Sequence, residues 1–125
     1  MRQAFSKDER LTSKKIIDHL FENGTSFVEY PLRFIWMESQ LNSAYPVQMV
    51  VAVPKKNISK ANKRNLMKRR IKEAYRKNKQ TLYNYLEKQQ KQWAMAIVYT
   101  SGELVDYQEI EDKIILSLHR LIKEK

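Results

Sequence analysis

Between Lys55 and Lys79 the sequence places twelve cationic side chains: Lys55, Lys56, Lys60, Lys63, Arg64, Lys68, Arg69, Arg70, Lys72, Arg76, Lys77 and Lys79. One acid, Glu73, lies among them, so this segment carries +11. The other hundred residues hold twelve cations and thirteen acids, and the net +10 of the 125-residue chain is therefore one local feature. Lysine and arginine heads donate to phosphate oxygens, and each neutralised phosphate releases counterions. A concentrated cluster of this kind is the chemistry of a polyanion site, whereas a uniformly basic surface would give only loose steering.

No constellation for catalysis accompanies it. The histidines, His19 and His119, fall in different predicted helices with no partner motif, and a protein ribonuclease would need a histidine pair or metal-holding carboxylates. Glu103, Asp106, Glu109, Glu111 and Asp112 gather near the last helix, where acids favour a helix start and a solvated face. The absence of cysteine excludes disulfides, thiolate metal sites and a cysteine nucleophile. With two glycines, neither a phosphate loop nor a dinucleotide fingerprint can be built. Ser101-Gly102 is no nucleophile elbow. The expectation is a binder with no catalytic and no metal-ligating residues.

The elements that must position the cations follow from periodicity. The length suits one domain, 1–125, with no linker or internal repeat. Met1-Arg2-Gln3-Ala4-Phe5 lacks the apolar run of a signal peptide, and no stretch is long and apolar enough to span a membrane. Thr12 or Ser13 caps a helix to about Asn23, with Ile16, Ile17, Leu20 and Phe21 at helical spacing and Asn23-Gly24 as its stop. Phe27 to Met37, broken early by Pro31, reads as a strand. Val47–Val53 reads as a buried strand ended by Pro54, and Trp93–Thr100 as another. Between them Ser59 caps a basic helix from Lys60 to about Lys79, with room to continue to Gln90. Asp106 to about Lys123 is amphipathic, with Ile110, Ile114, Ile115, Leu118 and Leu121/Ile122 inward. The unit from Val47 through the basic helix to Thr100 suits two parallel strands and an α+β plan.

At about 100° per residue, Met67, Ile71, Ala74, Asn78 and Leu82 share one side of the basic helix, with Tyr75 just beyond. Asn65, Lys68, Arg69, Lys72, Arg76 and Lys79 share the opposite side. The charged side has no acids interleaved at helical pair spacing, so it costs stability through like-charge repulsion and is better explained by binding than by solvation. A cationic helix lying on a membrane is the weaker reading, because the narrow apolar stripe is needed for the core.

The stretch Lys55-Lys56 followed by Arg64-Asn65-Leu66-Met67-Lys68-Arg69-Arg70-Ile71-Lys72-Glu73 resembles the signature of the bacterial ribonuclease P protein component. That family has an apolar strand ending in two lysines, a short loop, and a helix opening R-N-R-x-K-R-x-x-R-E. Leu66 departs from the third position, Lys72 stands for the later arginine, and Pro54 stands where serine or alanine is common. Phe21-Glu22-Asn23-Gly24-Thr25 is similar to the end of the family's first helix, and a short basic tail precedes that helix.

The resemblance implies a ribosomal-S5-domain-2-like α/β sandwich, ordered α-β-β-β-α-β-α, with a left-handed βαβ crossover around the basic helix. It implies a protein subunit that binds the catalytic ribonuclease P RNA and the 5′ leader of precursor tRNA, assisting endonucleolytic removal of that leader. The reaction would belong to the RNA, with Mg2+ held there and no cofactor on the protein. The expected RNA-binding residues are Lys55, Lys56, Arg64, Asn65, Lys68, Arg69 and Lys72, which match the signature, with Lys60 and Arg76 from the same basic segment. The leader cleft would draw on Phe21, Arg33, Ile35 and Trp36. Strand register is open by one residue, so Arg33/Ile35 and Phe34/Trp36 compete for the exposed face, and core packing is the competing role for Trp36. The expected state is a monomer when free, in the bacterial cytoplasm, away from membranes. The alternative is a ribosomal or general RNA-binding protein.

Overall fold

The computed structural model describes residues 5–123; the remainder of the basic tail, residues 1–4, lies outside them. Ser13 caps the first helix by accepting from Ile16 N at 3.3 Å, and α1 runs Lys14–Asn23. Gly24 ends it through close approach rather than unusual backbone. A Cβ there would stand 2.6 Å from Leu20 O and 2.7 Å from Ile35 Cγ2.

The strand expected over Phe27 to Met37 is two strands, β1 (Thr25–Glu29) and β2 (Leu32–Glu38), paired antiparallel. Pro31 sits in the turn between them, since proline brings no N–H to a ladder. Next come β3 (Val47–Ala52), α2 (Ala61–Asn78), α3 (Gln80–Gln89), β4 (Trp93–Tyr99) and α4 (Tyr107–Lys123). The order implied by the resemblance is found, with the basic helix divided at Lys79. The sheet order is β1-β2-β4-β3: β4 lies antiparallel to β2 and parallel to β3. The parallel pairing expected across the basic helix is thus present.

Alternation along the strands separates two cores. One face of the sheet presents Leu32, Phe34, Met49, Val51, Met95 and Ile97 to Met67, Ile71, Leu82, Leu86, Ile110, Ile114 and Leu118 of the three-helix layer. Ile115, expected on the inner side of α4, is exposed, because the packed stripe runs through Ile110, Ile114, Leu118 and Leu121. Asn78 is tied to that layer through its side-chain amide, which donates to Ala74 O at 2.8 Å and Glu111 Oε2 at 3.0 Å. The other face carries Ile35, Ala94 and Ala96 under Leu20, Ile16 and Ile17 of α1. Three helices cover one face and a single ten-residue helix the other, so part of the second face stays open.

Candidate nucleic-acid interface

The open part is defined by register. Val28 lies opposite Arg33, Arg33 opposite Val98, and Val98 beside Ala52, forming one row across all four strands. With strands about 4.8 Å apart, the row is about 14 Å wide. Val28 is 55% exposed, Arg33 is exposed, and Val98 and Ala52 are half-buried. The next row, Ser26–Ile35–Ala96–Val50, runs beneath α1. Phe21 lies on the flank of α1 opposite His19, by helical spacing, and is 43% exposed. His19 lines a separate groove with Met37 and Ser39 at the far end of β2. Phe21 therefore lies on the flank of α1 turned away from that groove. Beyond Ala52, past Pro54, Lys55 and Lys56 are exposed.

Two residues expected in this cleft do not line it. Ile35 reaches the correct face but is only 1% exposed, because Leu20 and Gly24 sit directly on it. Trp36 points to the opposite face, where its ring lies 5.8 Å from Phe27 and 5.7 Å from Trp93. The register pairs Trp36 with Met95, and alternation places it with Phe34 in the helix-layer core. The competing alternative of one-residue register is thereby decided for Arg33 and Ile35 on the α1 side.

The loop after β3 is braced before the basic helix begins. Asn57 and Ile58 N–H groups donate to Pro54 O, and Asn57 Nδ2 donates to Tyr99 O at 3.0 Å. Ser59 is not the cap: Lys60 is the N-cap residue, with no capping side-chain bond. Ser59 O is instead taken by Arg64, whose Nη1 donates to it at 2.7 Å and to Ile58 O at 3.1 Å.

Along α2 the cations divide. Lys60, Lys63, Asn65, Arg69 and Lys72 are exposed, and Arg64, Lys68 and Arg76 are half-exposed. Arg76 pairs with Glu73, three residues before it, at 2.7 Å, so the charged side does contain an ion pair. Arg76 holds the Glu73 carboxyl below its ordinary range. Arg70 turns inward and donates to Val105 O. Lys77 lies 5.7 Å over the Tyr107 ring. Lys79, grouped by helical angle with the outward cations, is 5% exposed and ion-paired with Glu9. The end of α2 at Asn78 and the turn into α3 take it off the extrapolated helix face.

Sequence reasoning missed Arg10. It lies 45 residues before the basic segment in the chain, yet it lines one cavity of about 190 Å³ with Lys68 and Lys72. No local pattern signals this, because the neighbours come from the N-terminal segment and from α2. Val28, Val98 and Ala52 were missed as open-face residues because their exposure depends on what α1 leaves uncovered.

The histidines sit on α1 and α4, on opposite faces of the sheet. Asp106 Oδ1 accepts from Glu109 N at 3.0 Å, so that acid serves the start of α4. Among the described residues, no three His, Asp or Glu side chains gather closely enough to hold a metal ion.

A family model described as Ribonuclease P matches residues 5–122. The chain is 39% identical over 117 residues to the ribonuclease P protein component of Porphyromonas gingivalis, covering 93% of this chain and 85% of that one. It is 33% identical to the protein component of Chlorobium phaeobacteroides, covering 77% of this chain and 71% of that one. Among solved structures, the RNase P protein of Thermotoga maritima superposes with a TM-score of 0.70 at 22% identity, covering 90% of this chain and 96% of that one. The Staphylococcus aureus RNase P protein gives 0.61 at 14% identity, over 91% and 97%. Those two likenesses show the fold. The match across nearly the whole described chain favours the ribozyme-subunit reading over a general RNA-binding protein. The chain belongs to the ribonuclease P protein component family, the protein subunit of an endoribonuclease that processes tRNA.

Proposed function

We propose that this chain holds the ribonuclease P RNA along the outward side of α2 and the 5′ leader of precursor tRNA across the open row of the sheet. The RNA contacts are Lys55, Lys56, Lys60, Arg64, Asn65, Lys68, Arg69, Lys72 and Arg76. The observation that carries the reading is the adjacency of two unlike surfaces. Lys68 and Lys72 of α2 line one cavity with Val50 and Val51 of β3, the strand whose Ala52 ends the shallow row Val28–Arg33–Val98–Ala52, and Lys55 and Lys56 follow Ala52 along the chain.

The chemistry of the two surfaces supports this division. Ammonium and guanidinium heads relieve repulsion between two polyanions that must associate. A row of small apolar side chains with one arginine, together with an exposed phenyl ring on α1, accepts a single strand by stacking and phosphate contact, with little sequence preference. Phe21 and Arg33 are the leader contacts that supply these. Hydrolysis belongs to the RNA, and Mg2+ supplies its chemistry there. The protein works as a monomer in the bacterial cytoplasm, binding no cofactor itself.

The test is cleavage of a precursor tRNA at low Mg2+, comparing protein alone, a bacterial ribonuclease P RNA alone, and both. Efficient cleavage at the leader junction by the mixture alone supports the reading. Binding without any gain in cleavage overturns it.

A further inference from the structure

An acid lies at the centre of the segment that delivers Arg10 to the basic helix. Residues 5–11 run as a strap from the α2/α3 junction to the edge of β3. Glu9 is 1% exposed; its carboxylate accepts from Ser6 N at 2.8 Å, from Tyr83 Oη at 2.6 Å and from Lys79 Nζ. The Lys79 head also lies 5.1 Å over the Tyr83 ring, and Phe5 packs edge-on against Tyr75 at 5.8 Å. Two residues further on, Leu11 is buried and its N–H donates to Met49 O at 3.1 Å on the edge of β3. Arg10 lies between these two anchors and faces the cavity it shares with Lys68 and Lys72.

Three cations around one small cavity repel each other, and nothing in the helix propensity of α2 brings the third one there. The strap does, and its clasp is the buried Glu9–Lys79–Tyr83 group. We propose that Glu9 is a positioning residue for RNA binding: by closing on Lys79 and Tyr83 it holds Arg10 beside Lys68 and Lys72, where the three cations together take a backbone phosphate of the RNA. The inference rests on the RNA-binding reading above. It runs against simple charge counting, in which removing an acid from a chain of net +10 strengthens RNA binding.

The experiment measures binding of the full chain to a bacterial ribonuclease P RNA across a range of salt, with thermal melting alongside. Glu9→Gln combined with Lys79→Met removes both buried charges and leaves the fold without an unpaired ion. The expected result is a melting temperature near that of the parent, weaker binding, and a log–log salt slope shallower by about 1. Arg10→Gln alone should give the same slope change. Adding Arg10→Gln to the double variant should cost nothing further, because Arg10 has already been released. Tyr83→Phe keeps the ring and removes one donor to Glu9, and the same coupling to Arg10 is expected there if the double variant melts early. Parent-like or tighter binding by a folded double variant overturns the inference, as does a full Arg10→Gln loss within it. A parent chain with no salt-dependent RNA binding overturns the RNA-binding reading as well, which separates the two failures.

Discussion

Arg64 reaches back from the first turn of α2 to the carbonyl of Ser59, at 2.7 Å, and so fastens the basic helix to the loop that precedes it. The residue that opens the family signature is thus a brace as well as a cation. The same Nη1 also donates to Ile58 O, and Ile58 is buried, so the loop carrying Lys55 and Lys56 is set by a side chain that itself belongs to the binding surface.

Arg64→Lys keeps the charge and loses the planar guanidinium whose Nη1 holds both carbonyls. It should weaken RNA binding more than Lys68→Arg, and cost about 1 kcal/mol of stability. Charge reversal at Arg64 and Lys68 together should flatten the salt dependence of binding to the ribonuclease P RNA. An unchanged slope would remove α2 from the interface.

Phe21→Ala and Arg33→Gln should weaken binding of leader-bearing tRNA while leaving mature tRNA nearly unaffected. Trp36→Ala should instead lower stability by about 2–3 kcal/mol, because the ring packs between Phe27 and Trp93, and affect both RNAs alike. Comparing the two substrates for each variant, with urea midpoints, checks the assignment of sheet faces.

Gly24→Ala places a methyl group against Leu20 O and Ile35 Cγ2. The expected cost is about 1–3 kcal/mol, as α1 lifts from the sheet. Since Phe21 rides on α1, leader discrimination should fall with stability in this variant, whereas a helix-cap variant at Asp106, on the far side of the sheet, should cost about 1 kcal/mol and leave discrimination intact.

The Glu9 carboxyl sits below its ordinary range: burial raises it, and donors from Lys79, Tyr83 and Ser6 N outweigh that burial. A depressed value in the folded state contributes stability that is present above the unfolded value of about 4.3 and lost as pH falls through the folded one. Urea midpoints of the parent should therefore hold this contribution at neutral pH and shed it in acid. The Glu9→Gln/Lys79→Met variant should lack that component of the acid loss, and parallel curves for the two proteins would show that Glu9 contributes none of it.

Much of this was legible from local pattern. Ser13, Gly24, Val47 and Trp93 mark element boundaries because caps, close-packed stops and apolar runs act within a few residues. The inward stripe of α2 was legible through Met67, Ile71 and Ala74, since helical spacing fixes which side chains share a side. What escaped depends on partners distant in sequence. Extrapolating the angle of Lys79 placed it outward, yet Glu9, seventy residues away, draws it into the interior where the helix breaks. The break at Pro31 was legible, but the separate strand Thr25–Glu29 before it was not, and the pairing with β4 fixes which side of the sheet Trp36 takes. Arg10 gave no signal, because its neighbours are chosen by the strap.

The strand order has a consequence for how the molecule comes into being. Among the described strands, β4 comes last in the chain and is the one that touches both β2 and β3. Until Trp93–Tyr99 has been made, the β1–β2 hairpin and β3 have no common neighbour, and the basic helix has no finished sheet to lie against. A nascent chain stopped before Trp93 carries its whole cationic segment without the scaffold that sorts inward arginines from outward ones. Commitment to the native arrangement therefore waits for β4, and α4 then closes over the layer that β4 has joined.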